Sequence, residues 1–410
     1  MPRFGPLLVL LALAPGCGEQ NLGVLVDGPS SGNGNRNGST EPMPDPDPVP
    51  FPTDVVPESD WDALDDALIA AQANAGDEAP NVAAVGPDLA SLPSPRFAGI
   101  VHGFDGFVYA VPARARRFLR IDPNAIDQAE LIGPEIPDGE WGGAAVASDG
   151  VIYLAPLDQA RVFAFNPAAP DSAGFVGPDY SSQASPRWRG FVPALDGRLY
   201  AIPASASSVL AFDPLDPGAS ALLGGGLSGF DGGILAPDGS VYGIPSEAEQ
   251  VLWVEPLSGT VVLSGPRIGP ESEKFSAGSL SPDGVAYAFG KRSRSVLSFT
   301  LQNPVSPQQR GSFAGSAPFF VRSSSIAADG RVYAVPASAN RVVRFDSRLP
   351  GELERVGPEF SGSQQWRGLV LTTNGALLAA PYNASRLLRI TVQGDPLPAS
   401  TVVSPFFNYY

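Results

Sequence analysis

The chain of 410 residues is short of several residue types on which common chemistries depend. It has one histidine, His102, and one cysteine, Cys17, which excludes a Cys/His zinc site and a framework of disulfides. Lysine occurs only at 274 and 291, so no polybasic stretch is available to grip an anionic membrane surface. Basic residues number 26 against 42 acidic ones, a formal net charge of -16, whereas a nucleic-acid binder needs clustered Lys and Arg to neutralise phosphates. The apolar stretch at 7–14 is too short to span a bilayer as a helix. A Gly-rich phosphate loop, a Gly-x-Ser-x-Gly elbow and a metal-spaced His pair are also missing. What is plentiful is glycine (46) and proline (44), scattered among apolar runs, which reads as many turns in a folded β-protein.

Residues 1–17 (MPRFGPLLVLLALAPGC) carry one positive charge at Arg3, then the short apolar stretch, then small residues, the pattern of a secretory signal. The ending at Cys17 resembles a bacterial lipoprotein signal. That resemblance implies a signal peptide over 1–16, lipidation of Cys17, and, with Gly18 in place of an Asp, an outer-membrane address. Residues 17–58 are rich in Gly and Asn and then in Pro, a composition that builds no core and reads as a tether. A short helix is expected over 59–76, with Ser59 as N-cap, Asp62 at the capping-box position and Gly76 as the stop. Trp61, Leu64, Leu68 and Ala71 share one face of it, so the helix should dock on the domain C-terminal to it.

From 80 onwards the chain repeats. Asp-Gly recurs at 105, 149, 196, 238, 283 and 329, with Asn374-Gly375 as the seventh copy, at spacings of 42 to 47 residues. Four residues after the Asp stands Tyr109, Tyr153, Tyr200, Tyr242, Tyr287 or Tyr333; seven after it stands a Pro in six copies. Eight before it stands Phe97, Trp141, Trp188, Phe230, Phe275, Val321 or Trp366. Asp-Gly closes tight hairpins because its central residues tolerate positive φ, and Pro ends a strand because it cannot donate to a ladder. Each copy therefore reads as four short antiparallel strands, apolar on both faces, and sheets covered on both sides are achieved by radial stacking. The expectation is an all-β, seven-bladed propeller over 80–410. The phased Gly that ends each fourth strand is missing at Val402 and present as an orphan at Gly86, so residues 81–85 are expected to complete the last blade, with 399–407 as the competitor.

The repeat resembles bacterial propellers of the streptogramin-lyase, gluconolactonase and NHL-like group over roughly residues 80–395. The resemblance implies the fold strongly and an activity weakly. Lyases of that group are expected to use a catalytic His with a carboxylate-held metal, and lactonases a divalent metal held by Glu, Asn and Asp. Here His102 occupies a phase that is Val146, Leu235 or Leu371 elsewhere and reads as a packed core histidine, and no metal set can be assigned residue by residue.

The Asp-Gly carboxylates read as turn formers and the tyrosines as packing between blades. Gly-Pro-acid steps at 86–88, 133–135, 177–179, 269–271 and 357–359 are expected to pair, blade to blade, with Arg117, Arg161, Arg341 and Arg386, the alternative being a polar rim that grips a sugar or anionic polymer. Residues that break the repeat are the better ligand candidates: Trp141, and the Trp-Arg steps Trp188-Arg189 and Trp366-Arg367, whose rings and guanidiniums suit stacking and carboxylate binding; the alternative is that these Trp rings fill the funnel between blades. The combined expectation is an exported, lipid-anchored monomeric binding module of the cell envelope with no catalytic residue and no cofactor, meeting a protein or polysaccharide surface and touching the membrane only through Cys17. The alternative is a lyase or lactonase with Ca²⁺ or Mg²⁺ in the central channel.

Overall fold

The computed structural model describes residues 61–410 apart from 77, 272, 283, 291–294, 302–304, 311–320, 338–339, 350–352, 395–396, 398–401 and 403–410. Cys17, the tether and Ser59 lie outside the described residues. One helix, α1 (Trp61–Asn74), precedes seven four-stranded antiparallel sheets. Blade 1 runs Phe97–His102, Val108–Pro112, Phe118–Ile121 and Glu130–Ile132 from the axis outward, and blades 2 to 6 repeat that order. Blade 7 takes three strands, Trp366–Leu371, Leu377–Pro381 and Leu387–Thr391, from the end of the chain and its outer strand, Asn81–Val85, from the beginning. The clasp is in register from Asn81 opposite Thr391 to Val85 opposite Leu387. The expected seven-bladed propeller and its amino-terminal closure are what the chain forms.

Inner and second strands are buried along their length, as in Val108–Pro112 and Leu199–Pro203, because each sheet is covered on both faces. Buried apolar clusters join blades 1 and 2, blades 2 and 3, blades 5 and 6, and blades 7 and 1, and larger ones join blades 3 to 5 and blades 6 and 7. The ring is thereby continuous. Each fully buried large apolar side chain contributes about 1.5–3 kcal/mol, so no blade is stable on its own. The repeated tyrosines belong to these seams: Tyr109 meets Phe165, Tyr153 meets Phe212, and Tyr287 meets Phe345, each across to the third strand of the next blade. Their hydroxyls donate to the hairpin carboxylates, at 2.7 Å for Tyr153–Asp149 and 2.8 Å for Tyr200–Asp196 and Tyr333–Asp329. The other carboxylate oxygen accepts the backbone N–H two residues on, at Val151, Arg198 and Arg331. These aspartates are turn formers.

Helix α1 lies on the hairpin face. Leu64 and Leu68 are buried, in the clusters of blades 3 to 5 and of blades 6 and 7. Gln72 donates to Asp346 Oδ1 at 3.1 Å, Arg348 to the Gln72 carbonyl at 2.6 Å, and Arg331 to the Gly76 carbonyl at 3.0 Å. Gly330 (φ +70) turns the blade 6 hairpin so close beneath the helix that a Cβ there would stand 2.7 Å from the Leu68 carbonyl oxygen.

Candidate ligand-binding site

All seven inner strands share a local irregularity. The pairing with the second strand slips just after the leading aromatic position, between Phe97 and Gly99 in blade 1, Trp141 and Gly143 in blade 2, and Val321 and Ser323 in blade 6. An extra residue in one strand kinks it and re-aims the side chain next to it. The residues at that phase are Ala98, Gly142, Arg189, Asp231, Ser276, Arg322 and Arg367, and all but Ala98 line one cavity of about 90 Å³ where the inner strands converge. Leu157, Ile244, Ser323, Ser324 and Leu369 also line it. Backbones come very close here: a Cβ on Gly142 would meet the Trp188 carbonyl oxygen at 1.9 Å. Glycine at that position lets adjoining inner strands touch.

Among the described residues, three guanidiniums and one carboxylate line this cavity. Arg189 lies 3.9 Å from Asp231, with both side chains largely withdrawn from solvent. Arg367 is only 8% exposed, its guanidinium 3.6 Å from the centre of the Tyr382 ring, a cation–π contact. One of its terminal nitrogens donates to Gln364 Oε1 at 3.3 Å, while its Nε makes no hydrogen bond among the described residues. Arg322 is half-buried on the same rim. Ser323 Oγ accepts the Gly368 N–H at 2.9 Å, leaving its own hydrogen to donate. Tyr382 in turn donates to Glu140 at 3.3 Å and lines a wider groove of about 690 Å³ that also takes in Pro93, Arg114, Arg116 and Asp158.

The expected residues fare differently. Arg189 and Arg367 reach the cavity, as does the edge of Trp141. The tryptophans do not form the expected stacking surface. Trp188 is fully buried, donating to the Ser208 carbonyl at 2.8 Å and meeting Tyr180 edge-on; Trp366 donates to the Arg386 carbonyl at 2.9 Å and meets Phe360; Trp141 packs on Phe163 and Phe175. The first residue of an inner strand points into the seam beside its own third strand, and a large ring there fills the funnel as blades diverge. Arg322, Asp231 and Ser276 went unremarked in the sequence, although they hold the same phase as Arg189 and Arg367.

The Arg–carboxylate pairing between blades is also corrected. Arg117 donates to the Gly133 carbonyl at 2.8 Å, Arg161 to that of Gly177 at 3.0 Å, and Arg386 to that of Gly86 at 2.6 Å, each within one blade. Ser208 on Gly224 and Gln250 on Gly265 do the same. Only Arg341 reaches a carboxylate, Glu359, at 3.4 Å among the described residues. The glycines at these strand ends have positive φ, which turns their carbonyls out of the ladder and leaves an acceptor for a cation or amide to satisfy. Arginine ties that do cross between blades include Arg96, bonded to the Asn383 and Ala384 carbonyls, Arg187, bonded to those of Asp158 and Gln159, and the Arg189–Asp231 pair.

His102 is 1% exposed, its Nδ1 donating to the Gly103 carbonyl at 2.8 Å, and burial lowers its pKa to about 4. It does not line the cavity. Among the described residues, no three His, Cys, Asp or Glu side chains converge as a metal site, and the cavity's one carboxylate faces an arginine. This donor set does not fit a divalent cation. No helix among the described residues is long and apolar enough to cross a membrane.

No protein-family model and no curated protein matches the sequence. Solved structures do match the fold. Streptogramin B lyase superposes with a TM-score of 0.62 at 11% identity, over 77% of this chain and 98% of that one, and virginiamycin B lyase from Staphylococcus aureus does so equally, over 77% and 100%. The extracellular domain of a one-component system from B. thetaiotaomicron gives 0.55 at 9% identity, over 78% of this chain and 44% of that one. The chain is thus a seven-bladed β-propeller sharing its fold, and at these identities its fold alone, with streptogramin B lyase.

Proposed function

We propose that the chain is an exported propeller, lipid-anchored at Cys17 and monomeric, that serves as a binding module of the cell envelope and meets a protein or polysaccharide at the mouth of its channel. The observation that carries this reading is the channel mouth itself. Symmetry explains the tyrosines, the hairpin carboxylates and the prolines, but not Arg189, Asp231, Arg322 and Arg367, whose phase holds Ala98, Gly142 and Ser276 in the other copies, and which gather at one cavity. Concave sites with a few convergent polar groups are where propellers and other scaffolds receive ligands. The signal-like start of the chain and the extracellular domains among its structural neighbours support export. The lyase or lactonase alternative lacks a converging carboxylate set among the described residues.

The test is co-sedimentation of the purified full chain with isolated peptidoglycan sacculi and with envelope polysaccharide. Saturable pelleting above that of an acidic control protein is expected. Pelleting no greater than the control for every envelope fraction would refute the binding-module reading.

A further inference from the structure

The large apolar side chains that this propeller leaves in solvent are not scattered. Of the eight exposed among the described residues, six belong to blades 3 and 4: Leu195, Leu215, Leu222, Leu257, Val262 and Leu263. The two most exposed, Leu257 at 90% and Leu215 at 82%, stand on the turns between third and fourth strands, on the hairpin face. An acid at the base holds each turn in shape. Asp213 accepts the Leu215 and Asp216 N–H groups at 3.0 and 3.2 Å, and Glu255 those of Leu257 and Ser258 at 3.1 and 2.8 Å. Blades 1 and 2 build the same turn on Asp122 and Asn166, with Asn124 and Ala168 where the leucines stand. The turn is thus part of the repeat and the leucines are not. Leu215 and Leu257 line one groove of about 310 Å³ with Pro256 and Arg198. The remaining two exposed side chains, Ile69 on α1 and Leu349 in the corresponding turn of blade 6, share that face.

Exposed apolar patches mark contacts with a protein or a membrane, and the path of the chain selects the membrane. Leu64, in the first turn of α1, packs into the cluster of blades 3 to 5, so the sequence that carries Cys17 joins the propeller on the hairpin face beside the same blades. A lipid anchor there keeps the face close to a bilayer, where insertion of a few side chains is favoured by high local concentration. We propose that the hairpin face of blades 3 and 4 docks on the lipid surface through Leu215 and Leu257, turning the cavity at the opposite end of the channel away from the membrane. The proposal rests on the anchored reading, adds an orientation to it, and departs from the expectation that Cys17 alone touches lipid. Asp196, Asp213 and Asp216 outnumber Arg198 beside the leucines, so the attraction is apolar, the matching lipid is zwitterionic, and anionic lipid repels the face.

Flotation of the purified full chain with phosphatidylcholine vesicles measures attachment, and quenching of tryptophan fluorescence by brominated phosphatidylcholine measures depth. Leu257→Trp should be quenched beyond the parent, whereas Ser181→Trp, in an exposed loop at the opposite face, should not. With Cys17→Ala the face acts alone. In that background Leu215→Ser combined with Leu257→Ser should weaken partitioning by about tenfold or more, since it removes the side chains that leave water. Vesicles of equimolar phosphatidylcholine and phosphatidylglycerol should also bind less well. Both leucines stand in solvent, so the substitutions spare the core. Flotation without quenching at 257, equal quenching at 181, or unchanged partitioning of the serine variant overturns the docked face and leaves the anchor standing. Flotation unaffected by Cys17→Ala, with quenching at 257 retained, refutes the anchor and supports the face. Failure to float in any form overturns both. Self-association that the serine variant abolishes, without vesicle binding, assigns the patch to a second copy and likewise overturns the proposal.

Discussion

The lone histidine makes the propeller's acid stability predictable. His102 is buried on the inner strand of blade 1, and desolvation lowers its pKa from 6.5 to about 4, against a smaller opposing effect of its bond to the Gly103 carbonyl. In the unfolded chain the imidazole titrates near its ordinary value. Between those limits the unfolded state binds a proton that the folded state refuses, so stability is full above pH 6.5, falls as pH drops, and levels off below about 4. One proton over that interval is worth about 3 kcal/mol at 1.36 kcal/mol per unit. For a domain of roughly 350 residues, whose unfolding entropy is about 0.7 kcal/mol per kelvin, that corresponds to a melting shift of about 5 °C. Leucine occupies the same phase in three other blades, at 235, 280 and 371, so His102→Leu is the matched perturbation. The buried hairpin carboxylates Asp105, Asp149 and Asp329 have raised pKa values and work with the opposite sign, favouring the folded state as pH falls, but both proteins carry them. Urea unfolding of parent and variant at pH 7.5, 6, 5 and 4 therefore isolates the imidazole. The difference between them should shift towards the variant by about 3 kcal/mol on going from pH 7.5 to 4. Curves that stay parallel within about 0.5 kcal/mol would mean that the imidazole is hydrated or already charged in the fold, and the burial argument would fail.

The amino terminus and the seams give two further tests. Cys17→Ala should move the protein out of the membrane fraction of cells that express it, read by immunoblot after fractionation; continued membrane retention would refute the anchor. Trp188→Ala should lower stability by about 3–5 kcal/mol, since it removes a fully buried ring and strands the Ser208 carbonyl, with urea midpoints as the measure. A loss under about 1 kcal/mol would mean that the ring is not part of the seam.

Architecture was legible because it is written seven times. A hairpin dipeptide, a tyrosine and a strand-ending proline in fixed phase left one way to cover both faces of every sheet, and the orphan Gly86 located the clasp. The site was half legible. The Trp-Arg steps drew attention to Arg189 and Arg367, but a fixed phase does not reveal which side of a strand a residue faces when a bulge intervenes. The slip after each leading aromatic sends that aromatic into the seam and its successor into the cavity, the reverse of the stacking surface expected from Trp188 and Trp366. Arg322 escaped notice because Val321 stands before it where a ring would have marked the step. The arginines at the third strands were misassigned for another reason. Sequence displays the carboxylates nearby, whereas the stronger demand comes from glycine carbonyls turned out of the ladder.

The strand that seals blade 7, Asn81–Val85, is made roughly 300 residues before its partner Leu387–Thr391. Bringing them together closes a loop of roughly 300 residues, an entropic penalty on the order of 5 kcal/mol that only the finished seams repay. Until then the growing chain carries an open sheet edge, a template for aggregation. Assembly must therefore wait for delivery of Leu387–Thr391, and shortening the polypeptide past either partner strand would leave blades 1 to 6 whole, blade 7 short of a strand and the circle unfastened.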